Sequence, residues 1–418
     1  MIIKRDFYLN QLISNRHNGF IKVVTGIRRC GKSFLLNKIF TAWLHEQGIP
    51  ASNIIQINLE DRRNKSLRDP DELLKFIDGK IKGEEMHYVL IDEIQLVNEF
   101  EDVLNSYLGM NNVDVFVTGS NSKFLSKDVI TTFRGRSKEI YIFPLSFNEF
   151  YPLKENATYP AILNEYMTYG GMPQVVLEET EIEKQKLLKS LFRNTYIKDI
   201  IERHNLRNID SLNELLNTLA SGIGSLTNPN KLLNTFQSVK KENISRPTIA
   251  AYLEYLNDAF IIETAERYDI KGKSYIDSSY KYYFTDVGLR NGRLNFRQLE
   301  FSHIMENIIY NDLLRRGFSV DVGVVSVRKN DINGVRVRSN LEVDFVCNLG
   351  SRRYYIQSAY RMPDEEKFRQ EEASLRNIHD SFKKIIIIGE ETPVLRTETG
   401  TTIMSIYDFL LKENSLEL

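Results

Sequence analysis

Short runs of β-branched and aromatic residues alternate with amphipathic stretches of helical period over the first third of the chain. This alternation predicts an α/β fold, in which a parallel sheet carries helices on both faces. The predicted strands are Ile21–Thr25, Ile54–Glu60, His87–Glu93, Val113–Gly119 and Glu139–Pro144. The predicted helices follow Gly31 and occupy Asp69–Ile81, Phe100–Met110 and Ser122–Ile130. Five strands in about 125 residues fit one doubly wound domain, which we place at residues 1–150.

The pattern changes three times after this domain. Residues 151–210 are mostly helical and are broken at Gly170-Gly171-Met172-Pro173, which predicts a helical lid. Over residues 211–297, helical stretches precede two alternating runs that flank Lys271-Gly272-Lys273, and this order predicts a winged-helix domain. Helices and strands mix again over residues 298–418, which predicts a further α/β domain.

Composition and charge narrow the possible functions. Hydrophobic residues make up 42% of the 418 residues and charged residues 27%, so each domain has material for its own core. The 55 basic and 56 acidic residues give a net charge of -1, so any site for nucleic acid must be local. Cys30 and Cys347 show no pairing pattern, and no apolar run approaches the roughly 20 residues of a membrane span. We therefore expect a cytoplasmic protein that is not bound to a membrane.

The clearest motif lies between the first predicted strand and the first predicted helix. Residues 26–33 read Gly-Ile-Arg-Arg-Cys-Gly-Lys-Ser and match the phosphate-binding pattern G-x-x-x-x-G-K-[ST]. The glycines let the backbone curl around phosphates, and the helix amino terminus presents its amides to them. Lys32 would reach the β and γ phosphates, and the Ser33 hydroxyl would bind Mg²⁺. The predicted nucleotide contacts are Gly26, Ile27, Arg28, Arg29, Cys30, Gly31, Lys32, Ser33 and Phe34.

A second acidic motif lies about 60 residues further on, where an apolar strand ends in Asp92 and Glu93. Carboxyl ends of parallel strands face the ligand crevice in such sheets. Asp92 would hold Mg²⁺ and Glu93 would activate the attacking water, which favours hydrolysis over transfer to a small molecule. The guanine-reading pattern N-K-x-D is missing, because residues 64–67 read Asn-Lys-Ser-Leu, so ATP is the predicted nucleotide.

Two weaker signals follow the acidic pair. Ser120 or Asn121, after the fourth strand, would sense the γ-phosphate, or would cap a helix instead. Arg134 or Arg136 would neutralise transition-state charge in a neighbouring subunit, which would require a homo-oligomer; the alternative is a basic surface turn.

With these residues in view, the sequence resembles the bacterial and archaeal AAA-type P-loop ATPases that carry a carboxy-terminal nuclease-like domain of unknown function. The motifs that carry the resemblance are residues 25–33, Leu90-Ile91-Asp92-Glu93, Thr118-Gly119-Ser120-Asn121, Gly135-Arg136, residues 144–150, Gly170-Gly171-Met172-Pro173, residues 281–289 and residues 342–346. The resemblance implies ATP binding, ATPase activity, a winged-helix domain and a restriction-endonuclease-like fold at residues 298–418.

Nucleases of that fold use an acid on a helix, an aspartate at a strand end and an acid-x-lysine pair on the next strand. Glu306 and Asp344 match the first two positions, but Gln357 and Ala359 replace the third and fourth. Losing a metal carboxylate and the ammonium group should remove most catalysis. We therefore expect the terminal domain to be catalytically inactive.

Basic residues of the predicted winged helix define a candidate contact with double-stranded DNA. They are Lys240, Arg246, Lys271 and Lys273. Glu242, Glu254 and Asp258 lie in the same region, and winged helices also dock proteins, so a protein partner is the equal alternative.

Three functional hypotheses follow from the sequence. The first is an Mg²⁺-dependent ATPase whose nucleotide state moves the other domains, acting on or near DNA. The second is a regulatory switch that holds nucleotide with slow turnover. The third, which the terminal domain argues against, is an ATP-gated nuclease.

Overall fold

A computed structural model of the chain describes residues 3–119, 133, 135–154, 157–206, 208–240, 244–330 and 336–418. The predicted helix Ser122–Ile130 lies outside the described residues, as do Ser120, Asn121 and Arg134. The chain divides into two compact units. The first comprises Met1–Pro144 with Asp258–Phe260, and the second comprises Leu145–Asn257 with Ile261–Leu418.

The described part of the first unit contains a five-stranded parallel sheet of order β2-β3-β4-β1-β5. Its strands are β1 (Ile21–Thr25), β2 (Ile54–Asn58), β3 (His87–Asp92), β4 (Val113–Thr118) and β5 (Ser137–Tyr141). The predicted α/β fold with a parallel sheet is thus confirmed. The fifth strand begins two residues earlier than predicted, because pairing with β1 starts at Ser137 and the apolar Ile142 and Phe143 lie beyond its end.

Helices cover this sheet and bury its apolar side chains. They are α1 (Asp6–Ser14), α2 (residues 32–46), α3 (Pro70–Asp78) and α4 (Phe100–Asn105). Helix α2 starts as Lys32–Phe34, widens to π-helical geometry over Leu35–Phe40 and ends as Thr41–Glu46. Short 3₁₀ turns lie at Ala51–Asn53, Arg62–Arg68 and Ile94–Leu96. Leu73 of α3 packs with Val23, Ile91 and Val117 of the strands in a fully buried core.

The second unit begins with helices that occupy most of residues 145–258. They are α5 (Phe147–Phe150), α6 (Tyr159–Tyr169), α7 (Pro173–Val176), α8 (residues 181–204), α9 (Ile209–Ser221), α10 (Pro229–Thr235, extended by a π-helical turn over Phe236–Lys240) and α11 (Arg246–Asp258). Helix α8 contains a π-helical stretch, Phe192–Ile197, between Glu181–Leu191 and Lys198–His204. A 3₁₀ turn, Tyr151–Leu153, follows α5.

The remaining helices of the second unit lie around its sheet. They are α12 (Val287–Arg293), α13 (Phe301–Arg315), α14 (Glu365–Arg376) and α15 (Ile406–Leu411), and a 3₁₀ turn at Ser415–Glu417 ends the chain. The strands are β6 (Ile262–Asp269), β7 (Ser274–Phe284), β8 (Ser319–Asn330), β9 (Arg336–Leu349), β10 (Arg352–Ala359), β11 (Lys383–Ile388), β12 (Leu395–Arg396) and β13 (Thr402–Ser405). No described helix is both long and apolar enough to cross a bilayer.

In the described residues these strands form one mixed eight-stranded sheet of order β12-β13-β11-β10-β9-β8-β6-β7. Strands β6 and β7 form the predicted antiparallel hairpin, and β6 also pairs in parallel with β8. The hairpin therefore shares a sheet with the strands that follow residue 298. The division of this unit into lid, winged helix and terminal domain remains a prediction.

Candidate functional site

The phosphate loop connects β1 to α2 in a backbone conformation that requires its glycines. Gly26 has φ 132° and Gly31 has φ 105°, both in the left-handed region. A Cβ on Gly26 would lie 2.2 Å from the carbonyl oxygen of Ile142. The loop thus has room for its backbone but not for a side chain at this position.

Lys32 lies at the start of α2, with its ammonium group inside the curve of the loop. Its Nζ donates to the carbonyl oxygens of Gly26 at 2.9 Å and Ile27 at 3.1 Å, and the residue is 4% exposed. A lysine whose bonds are to loop carbonyls can exchange them for phosphate oxygens without leaving the site.

Arg5, which was not among the predicted site residues, contacts the backbone of the loop. This buried residue precedes α1, and its guanidinium donates to the carbonyl oxygens of Cys30 at 3.1 Å and Phe143 at 2.8 Å. Cys30 is fully buried, so its predicted role is limited to its backbone. The loop side chains of Arg28 and Phe34 are partly exposed, and Arg28 forms an ion pair with Glu60 at 2.9 Å.

Asp92 meets the loop at the carboxyl end of β3, as predicted. The Ser33 hydroxyl donates to Asp92 Oδ1 at 2.8 Å, and the Thr118 hydroxyl donates to the same oxygen at 2.5 Å. Thr118 also accepts the backbone N–H of Glu93 at 2.9 Å. Thr118, at the end of β4, therefore fixes both acidic residues, although its hydroxyl was not among the predicted site groups.

Glu93 differs from the prediction in its backbone. Strand β3 ends at Asp92, and Glu93 turns into the left-handed region with φ 57°, a strained conformation for this residue type. The carboxylate accepts a hydrogen bond from Gln95 and is 8% exposed. Burial raises the pKa of Glu93, while the positive charge of Lys32 partly opposes the shift. A carboxylate with a raised pKa is a stronger base for water.

The donor set fits a nucleotide with a hard divalent cation. Ser33 and Asp92 place two oxygen ligands side by side, which suits Mg²⁺ with its remaining positions filled by phosphate and water. Lys32 supplies the positive charge, and the helix start supplies backbone amides.

Of the remaining predicted residues, Arg136 is described but is not part of the hydrogen-bonded group that includes Ser33 and Asp92. Arg136 is exposed directly before β5, and its carbonyl oxygen accepts the N–H of Ile21 at 3.0 Å. The predicted sensor residues, Ser120 and Asn121, and the other predicted arginine, Arg134, lie outside the described residues.

The residues predicted to contact DNA belong to the second unit. Arg246 begins α11 and is exposed, as are Lys271 and Lys273 at the hairpin tip. The Lys271 ammonium donates to the carbonyl oxygen of Ser326 in β8 at 2.9 Å. The side chain of Lys240 is not among those described.

The two acids of the nuclease-like arrangement do come together, around a lysine that was not predicted. Lys281 Nζ on β7 lies 2.8 Å from Glu306, 2.7 Å from Glu342 and 3.8 Å from Asp344. The Tyr283 hydroxyl donates to Glu306 at 2.6 Å. No group of His, Cys, Asp and Glu side chains in the described ranges is arranged to hold a metal ion. A buried ammonium group thus lies among the carboxylates.

The pKa values of the groups in this cluster follow from their burial and from the charges of their neighbours. Burial alone would raise the pKa of Glu306, but Lys281 brings it below its usual value. Burial and the charge of Glu306 raise the pKa of Asp344 to about 8. Although burial opposes it, the negative charge of Glu306 and Asp344 raises the pKa of Lys281. The ammonium is therefore retained at neutral pH.

Two further motifs of the sequence pack against each other in the second unit. Asp286, before α12, accepts the N–H groups of Gly171 at 2.7 Å and Leu289 at 2.9 Å. A Cβ on Gly170 would lie 2.3 Å from the Asp286 carboxylate, and one on Gly288 would lie 1.9 Å from the Tyr169 carbonyl oxygen. The glycines after α6 and in α12 are therefore required by close backbone packing.

Comparisons with known proteins identify two family domains and two full-length relatives. The AAA domain family matches residues 18–151, and a domain of unknown function, DUF8612, matches residues 161–300. An uncharacterized protein of Haemophilus influenzae is 34% identical over 419 residues, which cover 98% of this chain and 99% of that protein. The uncharacterized protein MJ1544 of Methanocaldococcus jannaschii is 32% identical over 392 residues, 91% of this chain and 82% of that protein.

Solved structures show a weaker likeness. The Aeropyrum pernix ORC2 protein covers 73% of this chain and 92% of its own at 13% identity, with a TM-score of 0.36. Cdc6p of Pyrobaculum aerophilum covers 73% and 97% at 12% identity, with a TM-score of 0.30. TM-scores this low do not support a functional comparison.

The fold and the phosphate loop define an AAA-type P-loop protein. The chain belongs to the family of the Haemophilus influenzae and Methanocaldococcus jannaschii proteins, and its own residues 18–151 match the AAA domain family.

Proposed function

We propose that the protein binds ATP with Mg²⁺ in the phosphate loop and hydrolyses it. The observation that carries the proposal is the hydrogen-bonded chain from Ser33 through Asp92 and Thr118 to Glu93, which joins the loop to the ends of two neighbouring strands. A loop that served only as a turn would not need these groups in contact.

Each residue has a distinct task in this proposal. Lys32 would exchange the carbonyls of Gly26 and Ile27 for phosphate oxygens. Ser33 and Asp92 would hold Mg²⁺, which would offset charge on the phosphates when bound. Glu93 would accept the proton of the attacking water, a task that its raised pKa and its fixed backbone support.

Phosphate release by full-length protein tests the proposal with four variants. Glu93→Gln should lower kcat by about 100-fold or more while ATP binding stays within a few-fold, because the base is lost but the phosphate contacts remain. Lys32→Ala should abolish binding. The exposed residues Glu46 and Lys38 of α2 provide matched controls, and Glu46→Gln and Lys38→Ala should leave both quantities unchanged. Tight binding with negligible release by the unaltered protein would instead favour a slow switch.

We further propose that the nucleotide state moves the predicted lid, winged-helix and terminal domains on or near DNA. Support comes from the exposed Lys271 and Lys273 at the hairpin tip and Arg246 at the start of α11. Reversing both lysines to glutamate should abolish a salt-dependent affinity for duplex DNA. A matched double reversal of Lys186 and Lys198, exposed on α8, should not. Binding without salt dependence would point to a protein partner.

The terminal domain is proposed to leave nucleic acid intact. The Lys281 ammonium lies 2.8 Å from Glu306 and 3.8 Å from Asp344, where a nuclease of that fold would hold its metal ion, and Gln357 and Ala359 stand where an acid and a lysine would be needed. Plasmid incubated with Mg²⁺ or Mn²⁺ should remain uncut. Cleavage that disappears in Asp344→Ala would contradict this proposal.

A further inference from the structure

A cavity of about 440 Å³ opens between helices of the second unit. Its walls come from α8, α9 and the end of α12. The lining residues are Lys189, Ser190, Phe192, Arg193, Asn217, Gly292, Arg293 and Asn295. The volume lies in the range of about 300–1,000 Å³ that small-molecule sites occupy.

The lining carries positive charge and, among the described residues, no carboxylate. Lys189 and Arg193 are four residues apart on α8, so they project from one face of that helix. Arg293 approaches from α12. Like charges brought together without an acid in the same wall repel each other, and a bound anion would relieve that repulsion.

Arg293 is held in place by neutral groups. Its Nε donates to Asn217 Oδ1 at 2.8 Å and its Nη2 donates to the Asn213 carbonyl oxygen at 2.8 Å. Its guanidinium also lies over the ring of Phe192, 5.4 Å from the centroid. The remaining nitrogen, Nη1, has no hydrogen-bond partner within the part of the chain that the structure describes. A fixed guanidinium with a spare donor is suited to an oxyanion.

The electrostatics agree with this geometry. Burial lowers the pKa of Arg293, Glu214 opposes this effect, and the positive charge of Arg193 adds a smaller lowering. Glu214 does not line the cavity and lies behind Asn217, whose side-chain amide donates to it at 3.3 Å. Glu214 therefore offsets part of the charge of Arg293 from behind the wall, and the residues that line the cavity itself are cationic or neutral.

We propose that this cavity binds the phosphate groups of a small phosphorylated molecule. Three cations from two elements converge on a concave surface, which suits a compact polyanion better than an extended backbone. The site is distinct from the phosphate loop, because all its residues belong to the second unit and the loop belongs to the first. The proposal does not depend on ATP hydrolysis.

Calorimetry with pyrophosphate tests this proposal in full-length protein carrying Lys32→Ala, which removes binding at the phosphate loop. The test variant adds Lys189→Glu and Arg193→Glu, two exposed positions whose reversal spares the half-buried Arg293. The control variant adds Lys186→Glu and Lys198→Glu on the same helix, with the same change in net charge. Unchanged circular dichroism and melting temperature would show that each variant is folded.

We expect the Lys32→Ala protein to bind pyrophosphate, the test variant to bind it at least about ten-fold more weakly, and the control to match its parent. Absence of binding in the Lys32→Ala protein would overturn the proposal, as would equal losses in test and control variants. Binding of a 20-nucleotide oligothymidylate with no binding of pyrophosphate would also overturn it. Failure of unaltered protein to bind ATP would refute the ATPase proposal alone.

Discussion

Replacing Lys281 by methionine tests whether its ammonium group holds the second unit together. The substitution keeps the length and much of the packing of the side chain but removes a cation that lies 2.8 Å from Glu306 and 2.7 Å from Glu342. Lys281 is 2% exposed, and Glu306 and Asp344 are both buried, so water cannot replace the lost charge. Removing one partner of a buried ion pair costs about 3–5 kcal/mol.

The loss of stability in Lys281→Met should depend on pH in a defined direction. Without Lys281, burial leaves the folded-state pKa values of Glu306 and Asp344 above those of the unfolded chain. The penalty is then present above these folded pKa values, and it shrinks as protonation neutralises the acids on acidification. We therefore expect the difference in stability between the variant and the unaltered protein to be larger at pH 8 than at pH 5.

Native-state hydrogen exchange read by mass spectrometry can locate the effect. Amides of β9 and α13 should exchange faster by a factor of roughly 100 to several thousand, which corresponds to the expected 3–5 kcal/mol. Amides of β1 and β4 in the first unit provide an internal reference. The control Lys367→Met removes a partly exposed lysine paired with Glu371 on α14 and should change stability by less than about 0.5 kcal/mol. A loss below 1 kcal/mol at pH 8, or one that grows on acidification, would refute the reasoning.

Three further predictions concern the site and the packing around it. Thr118→Val should lower kcat about ten-fold or more with little effect on ATP affinity, because Asp92 and the Glu93 N–H each lose a partner; unchanged steady-state rates would contradict this. The logarithm of kcat should fall with decreasing pH as Glu93 is protonated, with a midpoint above the ordinary glutamate value, and a pH-independent rate down to pH 4 would argue against its role as a base. Gly171→Ala should lower the melting temperature by several degrees, because the new Cβ would lie 2.0 Å from the Leu145 carbonyl oxygen, whereas Gly109→Ala should have a smaller effect because no atom lies within 4 Å of its Cβ position.

Local patterns in the sequence were sufficient to predict the central strands and the phosphate loop. Strand β1 was predicted residue for residue, and Asp92 lies against Ser33 as its position at a strand end implied. Such features depend on residue periodicity and on motif spacing, both of which are visible in one short segment. The ends of β2, β3 and β4 were predicted one or two residues too late, because polar residues that follow a strand carry no sharp boundary signal.

Groups whose roles depend on contacts between residues far apart in the sequence could not be predicted. Arg5 lies 138 residues from Phe143, and Lys281 lies 25 residues from Glu306, so neither pairing has a local pattern. Lys281 occupies an alternating strand in which a lysine ordinarily faces solvent. Thr118 belongs to a motif that the sequence identified, but its hydroxyl could be assigned only once the ends of β3 and β4 were adjacent.

The pairing of β6 with β8 constrains how this protein can be rearranged by evolution. Genetic exchange at residue 298 would combine a hairpin from one ancestor with its neighbouring strand from another. The recombinant would need a β8 edge that pairs with β6. It would also need carboxylates at the positions of Glu306 and Glu342 to form ion pairs with Lys281. Segments on either side of that junction should therefore be inherited together, and lineages that lose the carboxylates should also lose the lysine.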